Sequence, residues 1–197
     1  KDLNIINPKY HFFAPYHEPL IIEDWVKWIN LADKSLPKST KIVLSIKDYN
    51  KVKDLGLLKN RDITYLHFSK FIDVKNLDIT GPLPDMQTHP LMVLPFMIYM
   101  GYKEIYLLGC DSNNLKNYGH KIENFYDQNL EIKKGASSPW SFGIIKELEN
   151  NLSVFNQFLK YKELGDKLNI KIVNLSEDSW LDFFDKNNYE NLIENKK

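Results

Sequence analysis

The stretch that decides the fold is LMVLPFMIYMGYKEIYLLGCD, residues 91–111. Its first ten residues are apolar on every side, which predicts a buried helix over residues 91–100. Gly101 interrupts that pattern, and EIYLLGC, residues 104–110, is rich in aliphatic and aromatic side chains, which predicts a strand. Because the strand is apolar along most of its length, we expect both of its faces to be covered, as in a parallel sheet.

Further strands and helices alternate on either side of this segment. Apolar runs predict strands at residues 10–14, 41–46, 63–68 and 170–175, and helical spacing predicts helices at 21–32, 48–55, 144–168 and 178–184. Asp48 is a candidate cap for its helix, and the helix at 144–168 carries an apolar stripe formed by Ile145, Leu148, Leu152, Phe155 and Leu159. The alternation predicts one α/β domain over residues 1–186, with a Rossmann-like, mostly parallel sheet flanked by helices. Residues 73–88 are expected to form a linker, 112–140 a lid or loop, and 187–197 a polar tail.

The overall composition excludes several classes of protein. The 26 basic residues balance the 26 acidic ones, so no net field favours binding to nucleic acid. A single cysteine, Cys110, excludes an intrachain disulfide and a cysteine-based zinc site, and it fits a reducing, cytoplasmic compartment. We expect Cys110 to be a small buried hydrophobe. Arg61 is the only arginine, so a bound anion must be held by Lys, hydroxyl, His or backbone amide groups.

Several familiar catalytic motifs are absent from the sequence. It contains no GxGxxG, GxxxxGK[ST], GxSxG, HExxH or CxxC pattern. Readings as a dehydrogenase, a P-loop NTPase, an α/β-hydrolase or a zinc peptidase are therefore disfavoured. No apolar run approaches the roughly 18 residues that a membrane-spanning helix needs.

Candidate site residues cluster at the predicted carboxyl ends of the strands, where ligands of parallel sheets bind. Thr88 and His89 open the buried helix, either as a simple cap or as an anion site built from a hydroxyl, an imidazole and free amides. Gly109 and Asp111 follow the strand, and Asp111 could bind a sugar hydroxyl or a metal, or simply form a turn.

The long loop at residues 113–135 supplies the remaining candidates. His120 is the best general acid or base by residue type, although a solvated loop histidine is an equal alternative. Tyr118 and Tyr126 could donate hydrogen bonds to a phosphate, or they could be packing aromatics.

The segment THPLMVLPFMIYMGYKEIYLLGCDS, residues 88–112, resembles the helix–strand segment of the bacterial sialyltransferases of glycosyltransferase family 42. It is also similar to a wider set of Rossmann-like surface-polysaccharide proteins. This resemblance implies a nucleotide-sugar donor such as CMP-sialic acid, a glycan acceptor and no required cofactor. It places Thr88, His89, Gly109 and the loop tyrosines at the nucleotide, with His89 standing where the family has Ser.

Two family features are missing from this sequence. The long helix lacks the family's catalytic histidine, so the resemblance leaves His120, with Asp111, as candidate catalytic groups. The family's Gly-Asn-Gly-Pro-Ser loop is missing as well, so the chain is expected to lack the N-terminal strand–helix unit. The implied role in surface polysaccharide or lipooligosaccharide synthesis fits a cytoplasmic protein, with peripheral association at the inner membrane allowed.

Two other functions stay open at this point. One is a metal-dependent pyrophosphokinase or phosphotransferase that uses Mg²⁺, with Asp111 as a ligand. The other is a degenerate nucleotide-binding module without catalysis.

Overall fold

The computed structural model describes residues 7–16, 20–70, 72–120, 140 and 142–194. Contacts group the described residues into two compact units, unit 1 up to Lys70 and unit 2 from residue 72 onward. Each unit has a small parallel sheet together with helices, so the predicted α/β class is confirmed. The prediction of one domain over residues 1–186 stays a prediction, and most of the predicted lid at 112–140 lies outside the described residues.

Unit 1 alternates strands and helices. Its elements are β1 (Tyr10–Phe12), α1 (Ile22–Ser35), β2 (Lys41–Ser45), α2 (Tyr49–Asp54), β3 (Ile63–Leu66) and β4 (Phe68–Ser69). Strands β1, β2 and β3 are parallel neighbours in that order. Trp25 and Ile29, four residues apart on one face of α1, are buried against Ile42 and Leu44, two residues apart on one face of β2.

The only arginine forms hydrogen bonds at the C-terminal end of α1. The Arg61 side chain is fully buried, and its Nε donates to the Asp33 carboxylate at 2.6 Å. Its Nη2 donates to the Leu36 carbonyl at 2.8 Å, and Nη1 donates to the Pro37 carbonyl. These acceptors include carbonyls left without helical partners at the end of α1. The guanidinium is therefore committed to the structure of unit 1.

Unit 2 contains residues 91–111, the predicted buried helix, glycine turn and strand. Its elements are β5 (Leu83–Pro84), α3 (His89–Tyr99), β6 (Glu104–Leu107), α4 (Gly143–Lys167), β7 (Lys171–Asn174), β8 (Asp185–Lys186) and α5 (Tyr189–Glu194). Strands β6, β7 and β8 are parallel neighbours in that order, with Glu104 opposite Lys171 and Val173 opposite Asp185.

The buried helix, glycine turn and parallel strand predicted for residues 91–111 are all confirmed. Leu91, Met92 and Leu94 are almost fully buried in α3. At its end Gly101 has φ +79°, its N–H donates to Ile98 O at 3.0 Å, and Tyr102 N–H donates to Met97 O at 3.3 Å. These two bonds form a Schellman motif, which needs a residue at positive φ. The glycine thus turns the chain from α3 into β6.

One sequence prediction about the connecting segments is wrong. Residues 178–184 form turns rather than a helix, because Ser179 accepts a hydrogen bond from Asn174 and donates one to the distant Cys110 carbonyl. The polar tail predicted at residues 187–197 contains α5. The linker at 73–88 contains a short 3-10 turn (Val74–Asn76) and β5. Asp48 also does not cap α2 through its side chain.

The long helix α4 packs on β7 through a face that the sequence pattern did not single out. Phe158, Tyr161 and Gly165 are buried, and a Cβ on Gly165 would lie 3.1 Å from the Ile170 carbonyl oxygen. The predicted stripe of Ile145, Leu148, Leu152, Phe155 and Leu159, the α4 stripe, lies beside that face. Four of its five side chains are exposed, all except the partly buried Phe155. Among the described helices, none is both long enough and apolar enough to cross a membrane.

Candidate functional site

The start of α3 holds a buried hydroxyl that no other group satisfies. Thr88 has extended backbone angles, φ −136° and ψ 156°, so it is the N-cap residue of α3. Its side chain nevertheless makes no cap hydrogen bond, and its Oγ1 atom is buried without a partner in the described structure. A buried hydroxyl normally finds a hydrogen bond, because leaving it unpaired is costly. The Thr88 hydroxyl is therefore an unpaired donor and acceptor at the positive end of the α3 dipole, and a ligand would reach it only after a local rearrangement.

A cavity of about 320 Å³ lies between α3 and β6 within unit 2. His89 and Pro90 line it at the first turn of α3, and Val93 and Met97 continue the wall along the helix. The strand side includes the aromatic ring of Tyr106 and extends through Leu108 to Cys110. An apolar cleft with a few polar groups at its ends is the usual form of a small-molecule site.

The turn after β6 gives the second end of this cavity. Gly109 has φ +69°, and a Cβ there would meet no atom within 4 Å, so the glycine is required by backbone conformation rather than by crowding. The Asp111 side chain is exposed, and within the described residues its carboxylate accepts no hydrogen bond. The exposed carboxylate is accessible to a ligand.

Cys110 is buried, as expected for a small apolar side chain. Burial first, and the charge of Asp111 second, raise the pKa of its thiol to about 11. The thiol therefore stays protonated near neutral pH and is a poor nucleophile.

A buried polar network fixes the turn that carries Gly109 and Asp111. Asn174 at the end of β7 donates to Ser179 Oγ at 2.7 Å, and Ser179 Oγ donates to Cys110 O at 2.8 Å. The Cys110 N–H donates to Ser176 Oγ at 3.0 Å, and Trp180 N–H donates to Asp111 O at 2.9 Å. These bonds hold the backbone of the turn while leaving the Asp111 carboxylate exposed.

Residues 174–178 were predicted to lie at the ligand-binding edge of the sheet, but no positioning role was predicted for Asn174, Ser176 or Ser179. Asn174, Ser176 and Ser179 belong to NLSEDS, the polar run that directly follows the apolar part of β7. Amide and hydroxyl side chains just beyond a buried parallel strand could have indicated this role. Such side chains form hydrogen bonds with backbone N–H and C=O groups at the end of the strand.

Tyr118 and His120 lie in a separate aromatic cluster. The Tyr118 ring packs edge-on against Trp140 with 5.2 Å between centroids, and Trp140 Nε1 donates to the His120 carbonyl at 2.7 Å. The contact fixes the His120 backbone, while its side chain is exposed.

The structure brings some predicted site residues together and leaves others apart. His89 lines the cavity, and Thr88, Gly109 and Asp111 are chain neighbours of cavity-lining residues. Tyr118 and His120 do not line it. Tyr126 lies outside the described residues, and the functional roles assigned to all of these side chains stay predictions.

Unit 1 contains a buried acid in the stretch 45–48, which was predicted both to lie at the ligand-binding edge of the sheet and to supply a helix cap. Asp48 follows β2, is fully buried, and accepts the Tyr16 N–H on both carboxylate oxygens, at 3.1 and 3.3 Å. Burial raises its pKa to about 6, although the Tyr16 bond and the charges of Lys51 and Lys47 oppose the rise. Its one observed role is to hold the backbone before residue 17.

No cluster of three or more His, Cys, Asp or Glu side chains suited to a metal ion is found in the described ranges. Comparison with known proteins returns no match among protein-family models, curated proteins or solved structures.

Proposed function

We propose that this protein is a glycosyltransferase-like enzyme that uses a nucleotide-sugar donor, of the CMP-sialic acid kind, in bacterial surface polysaccharide or lipooligosaccharide synthesis. The observation that carries the proposal is the unpartnered buried hydroxyl of Thr88 at the start of α3, one residue before His89, which lines the cavity. A helix N-terminus with a free hydroxyl and an imidazole suits a phosphate group. The apolar walls suit the less polar part of a nucleotide or sugar.

The proposed reaction is a direct displacement. An acceptor hydroxyl attacks the anomeric carbon of the donor, the bond from that carbon to the phosphate oxygen breaks, and the nucleotide leaves. Thr88, His89 and the first turn of α3 would stabilise the charge that develops on the phosphate. Asp111 would bind a sugar hydroxyl or accept the acceptor proton, and His120 is the other candidate base.

We also propose that the fold is Rossmann-like. Helices α1 and α2 connect the parallel strands of unit 1, and α4 connects β6 to β7 in unit 2. Crossover helices between parallel strands are typical of Rossmann-like proteins, and this supports such an arrangement.

The test is a thermal-shift experiment with CMP, UDP, GDP and their sugars. We expect one nucleotide and its sugar to raise the melting temperature, and we expect Thr88→Val to lose that shift. Thr64→Val makes the same change in β3 of unit 1 and should keep it. If none of the nucleotides shifts the unaltered protein, the proposal is wrong.

A transfer assay then separates catalysis from binding. Replacing Asp111 with Asn should lower turnover while the nucleotide still raises the melting temperature. Full activity in both Asp111→Asn and His120→Ala would show that neither residue is the catalytic base.

A further inference from the structure

The amino-terminal half of α4 presents an apolar face to solvent. In the α4 stripe Ile145 is 68% exposed, Leu148 49% and Leu152 60%. Phe142, 75% exposed, precedes the first turn of the helix and extends this face. An apolar patch of this extent on a helix is typical of an interaction surface.

The spacing of the α4 stripe fits another helix. Its residues follow one another at intervals of three, four, three and four, which is the a/d pattern of a coiled-coil seam. Phe158 and Tyr161 anchor α4 in the core of unit 2, where Phe155 of the stripe also packs, and the other four stripe residues are exposed.

The exposed area is sufficient for a dimer. Six side chains contribute, each exposing on the order of 100 Å²: Phe142, Ile144, Ile145, Leu148, Leu152 and Leu159. Pairing two copies would bury about 600 Å² on each, about 1,200 Å² in total, which reaches the lower end for specific protein interfaces.

The charges along this face favour binding to a second copy of the chain over binding to a membrane surface. Between residues 142 and 159 the charged side chains are Lys146, Glu147 and Glu149. Lys146 pairs with Glu149 at 3.0 Å, and the remaining charge is negative. Helices that bind anionic membrane surfaces carry several basic residues, which this face lacks. We propose that two copies of this chain associate through their α4 stripes as a two-fold symmetric dimer.

The test measures molar mass by light scattering and sedimentation equilibrium over about two orders of magnitude in concentration. We expect the mass to rise from 23.2 kDa toward twice that value. Leu152→Glu should keep the protein monomeric, or weaken association at least tenfold. The matched control is Leu31→Glu, because Leu31 on α1 is also 60% exposed and lies outside the stripe.

The unaltered protein tests the proposal independently of any variant. A mass of 23.2 kDa at every concentration would overturn it. Equal loss of association in Leu152→Glu and Leu31→Glu would also contradict a role for the α4 stripe. Flotation of a purely monomeric protein with phosphatidylglycerol vesicles would assign the face to a membrane instead. Circular dichroism of both variants checks that the helices are retained.

Discussion

Replacing Thr88 with Val should stabilise the ligand-free protein, which is the reverse of the usual effect of removing an N-cap residue. Loss of a working cap costs about 0.5–2 kcal/mol. The Thr88 side chain makes no cap bond, so that loss does not arise. Val has the same shape, favours the extended backbone angles found here, and removes a buried hydroxyl whose unpaired state costs about 1–3 kcal/mol.

We therefore expect the free energy of unfolding to rise by about 1 kcal/mol or more. For a chain of this length, that corresponds to a rise in melting temperature of about 2–4 °C. Urea denaturation and calorimetry without nucleotide measure both quantities, with Thr64→Val as the control. A fall of 0.5 kcal/mol or more, about the least that a lost cap costs, would refute the reasoning, since it would show that the hydroxyl stabilises α3.

The same substitution should weaken the proposed nucleotide binding. A hydrogen bond to a charged phosphate oxygen is worth about 1.5–3 kcal/mol, which corresponds to a loss of roughly tenfold or more in affinity. Stability gained together with affinity lost is the pattern expected of a residue kept for binding.

Three further outcomes follow from the buried polar groups. Arg61→Lys should lower the free energy of unfolding by about 2–4 kcal/mol in urea titrations, because an ammonium group cannot reach the Asp33, Leu36 and Pro37 acceptors together. Asp48 keeps its proton up to about pH 6 in the folded state and to about pH 4 when unfolded, so stability should fall as the pH rises between these values. Asp48→Asn should flatten that dependence and be the more stable protein at pH 7, by up to about 3 kcal/mol, and an unchanged slope would exclude Asp48 as its source. Cys110 should react slowly with iodoacetamide at pH 8 in the native protein and quickly in urea, and fast native labelling would show that the thiol is accessible.

The sequence predicted the elements whose evidence is local. The all-apolar run of α3, the glycine at positive φ and the apolar β6 need no knowledge of distant residues, and each is present. The helix predicted at 178–184 is absent because its segment is held by a contact with a distant part of the chain. Ser179 donates to the Cys110 carbonyl, 69 positions away, and this bond, together with the one from Asn174, outweighs the local helical preference.

The candidate site was predictable in its residue types but not in its arrangement. Thr88, His89 and Asp111 were identified because they border an apolar helix or strand. That Thr88 Oγ1 lacks a partner depends on packing around it, which no spacing reveals. The α4 stripe shows the same limit, because its periodicity predicts an apolar face without saying what the face meets.

The network around Asn174 also has a consequence for the order of folding. The hydrogen bonds that fix the turn at Cys110 join residues 64 to 69 positions apart. Closing such a long loop costs entropy before any of these bonds forms, so contacts of this kind tend to form late. The turn at residues 109–111 can therefore reach its final conformation only after β7 and the segment through Leu181 are in place. One end of the cavity is therefore completed by residues 174–180, which leave the ribosome well after the turn that they hold.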